Sequence, residues 1–151
     1  MDKYEINDKT VALYSMNNKT RVYEENQNFI VNQPASEIME DSCSYFGSSL
    51  EGRKKGTNSL IGVTYKAPII VEESRNMIFF PTTSPRLKNC SWLRSNKIKS
   101  YYYKNNHLVV EFKNGDKILL NSSYDMINNQ VLRATRLESI LRDRKLEEQV
   151  K

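Results

Sequence analysis

Apolar side chains recur along this chain at two spacings. Thr10-Val11-Ala12-Leu13-Tyr14-Ser15-Met16 is β-prone, Asn17-Asn18-Lys19 reads as a turn, and Thr20-Arg21-Val22-Tyr23 resumes as a strand. Phe29-Ile30-Val31 is a third short apolar piece. Helical spacing begins at Pro34, which suits a first helical turn, with Ser36, Glu37 and Glu40 suited to an N-terminus. Ile38, Met39, Ser42, Cys43, Tyr45 and Phe46 continue the stripe until Gly47 stops it. Gly47 to Gly56 fits either a loop or a short glycine-broken helix.

Leu60 to Tyr65 and Pro68 to Val71 read as strands, and Met77-Ile78-Phe79-Phe80 as a buried strand ended by Pro81. Two prolines make Pro81 to Asn89 a loop. Ile98 to Tyr103 supplies a strand beside the hairpin in which Leu108, Val110 and Phe112 alternate with polar positions. In that hairpin Asn114-Gly115 predicts a type I′ turn and Lys117 to Leu120 returns. A helix of roughly 20 residues or more begins near Ser122-Ser123, with Asp125 in its first turn. Its apolar stripe is Tyr124, Ile127, Val131, Ala134, Leu137 and Leu141, and Arg133, Arg136, Arg142, Arg144 and Lys145 lie towards its other end or face. The fold class expected is α+β: a curved, largely antiparallel sheet or partly open barrel, with one internal helix near residues 35–46 and a C-terminal helix packed on it. A single domain covers residues 1–147, and residues 148–151 form a tail.

Composition narrows the classes. A chain of 151 residues with 15 aromatics buries one core. No apolar run approaches the roughly 18 residues of a membrane span, and the opening Met1-Asp2-Lys3-Tyr4-Glu5 has no basic-then-apolar signal segment. Two cysteines, Cys43 and Cys90, make no disulfide framework and read as free thiols in a reducing cytoplasm. One histidine and two cysteines are too few for a structural zinc site, and no nucleophile or acid is singled out for His107, so no catalysis, metal or cofactor is assigned.

The net charge of +5 is unevenly spread. Residues 1–40 carry seven acidic and four basic side chains, whereas residues 41–113 carry twelve basic and five acidic, a local balance of +7. Such a concentration favours a polyanionic partner. Two segments concentrate it further. Around Gly47–Gly56, exposed amides and the hydroxyls of Ser48 and Ser49 can donate to phosphate oxygens while Arg53, Lys54 and Lys55 supply charge. In the Pro81–Asn89 loop, two prolines stiffen a backbone that carries Arg86 and Lys88, so it can enter a DNA groove at low entropic cost. Trp92 and at least one of Tyr101-Tyr102-Tyr103 read as structural. Glu111 and Lys113, on one strand face, are the pair a metal-dependent nuclease uses, with Glu72 or Glu73 as the further carboxylate; strand alternation accounts for them without chemistry.

The order of these pieces carries a resemblance. Ser42-Cys43-Ser44-Tyr45-Phe46-Gly47-Ser48-Ser49-Leu50-Glu51-Gly52-Arg53-Lys54-Lys55-Gly56-Thr57 resembles the core signature of ComK, the competence transcription factor family of Gram-positive bacteria. Lys66-Ala67-Pro68-Ile69-Ile70-Val71, Phe79-Phe80-Pro81-Thr82, Cys90-Ser91-Trp92-Leu93, Asn114-Gly115 and Asn129-Gln130-Val131 follow in the same order. The resemblance spans roughly residues 36–144. It implies a cytoplasmic activator of DNA-uptake and recombination genes that binds A/T-rich boxes, chiefly through the minor groove, as a dimer or pair of dimers. No helix-turn-helix is recognisable. It also implies a proteolytic adaptor as partner, although longer members continue past the region matching Arg142-Asp143-Arg144. DNA contacts are expected from Ser48, Ser49, Arg53, Lys54, Lys55, Arg86 and Lys88 on charge and loop context. The other classes that fit are a PH-like β-sheet module binding peptides or lipid headgroups, and the metal-dependent nuclease.

Overall fold

The computed structural model describes residues 1–150. In chain order the elements are β1 (Thr10–Met16), β2 (Lys19–Glu24), β3 (Gln27–Val31), α1 (Ala35–Tyr45), α2 (Leu50–Ile61), β4 (Ile69–Glu72), β5 (Met77–Pro81), β6 (Trp92–Arg94), β7 (Ile98–Lys104), β8 (His107–Phe112), β9 (Lys117–Leu120) and α3 (Tyr124–Val150). The larger sheet has the order β3-β2-β1-β6-β5-β4 and the smaller β7-β8-β9, and every pairing is antiparallel. The larger sheet stays open. The expected α+β class with an antiparallel sheet and a packed C-terminal helix is what forms, with a second internal helix, α2, added to it.

Alternation sorts the core into two layers. Leu13, Ile69, Val71, Met77, Phe79 and Trp92 project from one face of the larger sheet and meet Ile38, Met39 and Cys43 of α1. Their neighbours Ala12, Ile70, Ile78, Phe80 and Leu93 project from the other face. There they meet Leu108, Val110, Phe112 and Ile118 of the smaller sheet and Ile127, Ala134, Leu137 of α3. Because both faces are covered, strands such as β5 are apolar at every position rather than at every second one. Trp92 is buried, as expected, and Tyr101 donates its hydroxyl to Asn128 of α3 at 2.6 Å.

Three local expectations change. Leu60 to Tyr65 is not a strand: Leu60 and Ile61 close the last turn of α2, and Gly62 (φ 71°) caps it by donating to the Asn58 carbonyl. A short apolar run is ambiguous by periodicity, and here the left-handed glycine ends a helix. Asn114-Gly115 is not a type I′ turn, since in that turn only Gly115 has positive φ. The loop is Lys113–Gly115, closed by Gly115 N–H to the Phe112 carbonyl and Phe112 N–H to the Asp116 carbonyl. The Asn114 amide reaches across to the Glu25 carbonyl at 3.0 Å, a tertiary contact invisible in the local pattern. The two-residue turn with positive φ at both positions is Asn105-Asn106, between β7 and β8. The third change is α2 itself, which bears on the site.

A buried polar cluster pins the N-terminal segment to the larger sheet. The Tyr4 hydroxyl donates to the Glu24 carboxylate at 2.6 Å and lies 2.6 Å from the Thr10 hydroxyl, while Gln27 and Asn7 also donate to Glu24. Burial pushes the Glu24 carboxyl up, but hydrogen bonds from Tyr4, Gln27 and Asn7 outweigh it and hold the pKa below its ordinary value. A carboxyl depressed in this way contributes stability above its unfolded pKa and loses it as pH falls through the folded one. Tyr4→Phe is therefore expected to cost about 1–2 kcal/mol at neutral pH. The difference from wild type should shrink in acid as Glu24 protonates; urea midpoints across pH measure it, and a gap independent of pH would refute the linkage.

Candidate nucleic-acid interface

Of the two forms that fit Gly47–Gly56, loop or short glycine-broken helix, the helix forms: Leu50 to Gly56 are the first half of α2. Ser49 is its N-cap, the hydroxyl accepting from Gly52 N–H at 2.9 Å, and Glu51 sits in the first turn where the helix dipole favours an anion. A Cβ at Gly52 would lie 2.9 Å from the Ser48 hydroxyl oxygen and 3.1 Å from that of Ser49, which is why glycine stands there. Ser48 donates its N–H to the Cys43 carbonyl at 2.9 Å, and Leu50 N–H is taken by the Glu40 carboxylate. Ser49 is thus a helix cap, and Ser48 helps to close the end of α1. Gly47, at φ 86°, lets the chain reverse within Phe46–Ser49, so α1 and α2 form a consecutive helix pair that the sequence did not reveal.

Three successive helix positions point about 100° apart, and the three basic side chains separate accordingly. Arg53 turns inward: its guanidinium approaches the Phe46 carbonyl at 3.5 Å, at the C-cap of α1, and its Nε is buried. Lys54 is half-buried and Lys55 exposed. The positive charge of Arg53 is felt at Cys43, whose thiol burial pushes up to about 11. Burial likewise raises the Cys90 thiol, against hydrogen bonding at Thr83 and the charge of Lys54. Lys54 is thus close enough for its charge to be felt at Cys90, at the foot of the 82–91 loop.

That loop is tied at its neck. Thr82 N–H donates to the Ser91 carbonyl at 2.9 Å and Ser91 N–H to the Thr82 hydroxyl at 3.1 Å. Ser15 of β1 donates to the Lys88 carbonyl, and Leu87 and Cys90 make internal turn bonds. Arg86, Leu87 and Lys88 remain exposed at the tip. The loop is a held projection with two cations, as expected from its prolines.

Beside it lies a cleft of about 750 Å³, walled by the 82–89 loop, the Tyr65-Lys66 connection and the junction of β9 with α3. Gln130 of α3, 1% exposed, donates its amide to the Lys66 and Pro81 carbonyls, each at 2.9 Å. Arg133 donates to the Tyr65 carbonyl at 3.2 Å, and Ser122 to the Thr82 carbonyl at 3.1 Å. Lys66 holds its ammonium 5.4 Å from the Tyr65 ring centre, and His107 lines the same cleft. No carboxylate side chain lines it. Lys66 and His107 were not among the expected contacts; each stands alone in sequence, and only the tertiary fold brings them to the loop.

Two other sequence features resolve differently. The basic excess of residues 41–113 is partly spent within the protein: Arg94 is buried against the Asp8 and Thr10 carbonyls, and at the surface Lys97 pairs with Glu25 at 2.8 Å. Glu111 pairs across strands with Lys117 in the smaller sheet, whereas Glu72 belongs to the larger sheet and accepts from the Ser74 and Arg75 amides. Among the described residues no three His, Cys, Asp or Glu side chains are grouped to hold a metal ion.

Comparison with known proteins agrees with the collinear motifs. The family model described as ComK protein matches residues 1–146. The competence transcription factor of Bacillus subtilis (strain 168) is 32% identical over 149 residues, covering 95% of this chain and 78% of that protein. No solved structure matches this chain with significance.

Proposed function

Because the chain belongs to the ComK protein family, we propose that it is a DNA-binding transcriptional activator of competence genes. In this reading it binds A/T-rich promoter boxes in the cytoplasm, chiefly through the minor groove, as a dimer or a pair of dimers. The observation that carries it is the exposure of cations on both expected segments: Lys55 with half-buried Lys54 on α2, and Arg86 and Lys88 at the tip of the tied loop. Adenine tracts narrow the minor groove and strengthen its negative potential, which attracts inserted Arg and Lys. A loop already closed at its neck loses little conformational entropy on entering such a groove. Arg53, half-buried with its guanidinium 3.5 Å from the Phe46 carbonyl, adds its charge at the α1–α2 junction. The second half of α3 is the dimer element in this reading, since every residue after Leu141 to Val150 is exposed, Leu146 among them.

A gel-shift titration with A/T-box and scrambled duplexes, over a salt range and with a minor-groove competitor drug, tests the reading. Anionic vesicles are the control for a lipid-binding module. The A/T-box duplex should bind more tightly, and the drug should displace the protein. Replacing Lys54, Lys55, Arg86 and Lys88 with Ala should flatten the log–log salt dependence by roughly 0.9 per lost phosphate contact. A folded variant with unchanged affinity and slope excludes this surface.

A further inference from the structure

We propose that the cleft between the 82–89 loop, the Tyr65-Lys66 connection and the β9–α3 junction receives the sugar–phosphate edge of a DNA strand. The proposal rests on the DNA-binding reading and names a contact surface beyond α2 and the loop tip.

The lining chemistry selects the ligand. Pockets for small organic ligands are mostly apolar. Here polar and apolar surface are present in similar measure, the polar share from hydroxyl and amide residues such as Ser84, Asn89, Asn121 and Ser123, joined by Lys66 and His107. These are the groups that proteins direct at phosphate and sugar oxygens. Among 18 acidic residues in the chain, none lines the cleft, and Asp125, in the first turn of α3, is the one closest in sequence to its lining. The floor is the start of α3, whose dipole presents its positive end. Tyr65, Leu87 and Leu119, each more than half exposed, offer apolar surface to the deoxyribose.

The frame is built before any ligand arrives. Gln130 ties α3 to two walls at once, through the Lys66 and Pro81 carbonyls, and Arg133 and Ser122 add ties to Tyr65 and Thr82. Lys66 sits at φ 53°, a left-handed conformation unusual for lysine, and that backbone is held by the Gln130 amide. A wall fixed in this way spares the backbone an ordering cost at binding, while the Lys66 ammonium lies 5.4 Å from the Tyr65 ring centre. Arg86 and Lys88, exposed on the loop that forms the opposite wall, alternate with the lining residues Leu87 and Asn89 and add charge to that loop.

Fluorescence anisotropy with a labelled A/T-rich duplex, read over a salt range, tests this. Lys66→Ala is expected to weaken binding severalfold and to lower the salt slope by about 0.9. Leu119→Glu, at an exposed strand position, puts a carboxylate into the cleft and should weaken binding roughly tenfold, against less than about twofold for the neutral Leu119→Gln. Lys3→Ala, on the N-terminal segment, is the control and should bind as wild type; thermal melts establish that all four variants fold. If wild type binds the duplex while Lys66→Ala and Leu119→Glu keep its affinity and slope, the cleft is excluded and the DNA-binding reading stands. If wild type binds neither A/T-rich nor scrambled duplex, both are overturned.

Discussion

Arg94→Met is expected to lower the free energy of unfolding by about 3–5 kcal/mol. The side chain lies on β6 and is 2% exposed. Its guanidinium donates to the carbonyls of Asp8 at 2.8 Å, Thr10 at 3.3 Å and Arg75 at 3.0 Å. One group thereby joins the N-terminal segment, the start of β1 and the β4–β5 turn. Methionine fills similar space but donates nothing, so carbonyls that cannot all reach water lose their partner, at about 1–3 kcal/mol each when buried. Burial pulls the Arg94 pKa below its ordinary value, and the charges of Asp8, Glu25 and Glu72 pull it back. The ion pair with Asp8, at 3.6 Å, contributes little, because the Asp8 side chain is 65% exposed. Asp8→Asn should accordingly cost less than about 1 kcal/mol. Urea denaturation at neutral pH separates the two, and a small loss for Arg94→Met would refute the role assigned to its carbonyl contacts.

Gln130→Leu should cost about 2–4 kcal/mol, because the two carbonyls its buried amide satisfies lie in different segments and lose that donor together. Pro81 ends β5 and Lys66 precedes β4, so one side chain of α3 holds the end of an inner strand and the α2–β4 connection together. The loss should be visible locally as well: amide hydrogen exchange in residues 62–68 should quicken more than in β1 or β5. Arg133→Ala, whose carbonyl contact is exposed, should change stability little. Equal and uniform effects of the two substitutions would show that Gln130 does not act as a clamp.

Legibility in the sequence followed the range of the interactions involved. β1 and the strand pair β8–β9 were readable because alternation and turn residues are local signals. The start of α3 was readable for the same reason: Ser123 accepts from Met126 N–H at 3.1 Å, a contact spanning three residues. The Gly47–Gly56 segment stayed open between loop and helix because its glycines weaken the helical signal. What settles it is the Ser49 cap together with the packing of Thr57 and Ile61, which a window of residues does not contain. The destinations of basic side chains were the least legible. Arg53 and Lys55 are two positions apart, yet one closes the end of α1 and the other stands in solvent. Lys66 and Gln130 are 64 residues apart and meet in one hydrogen bond.

By itself the sequence determined the fold class, the order and nature of most elements, and the family, because periodicity, turn chemistry and collinear motifs are written in neighbouring residues. Tertiary structure alone decided which cations face outward, and that a cleft with no carboxylate in its lining opens between the tied loop and the β9–α3 junction. Those outcomes depend on burial and on hydrogen bonds between distant segments. A residue's charge says what it can do, and only the packed chain determines whether water, a carbonyl or a partner receives it.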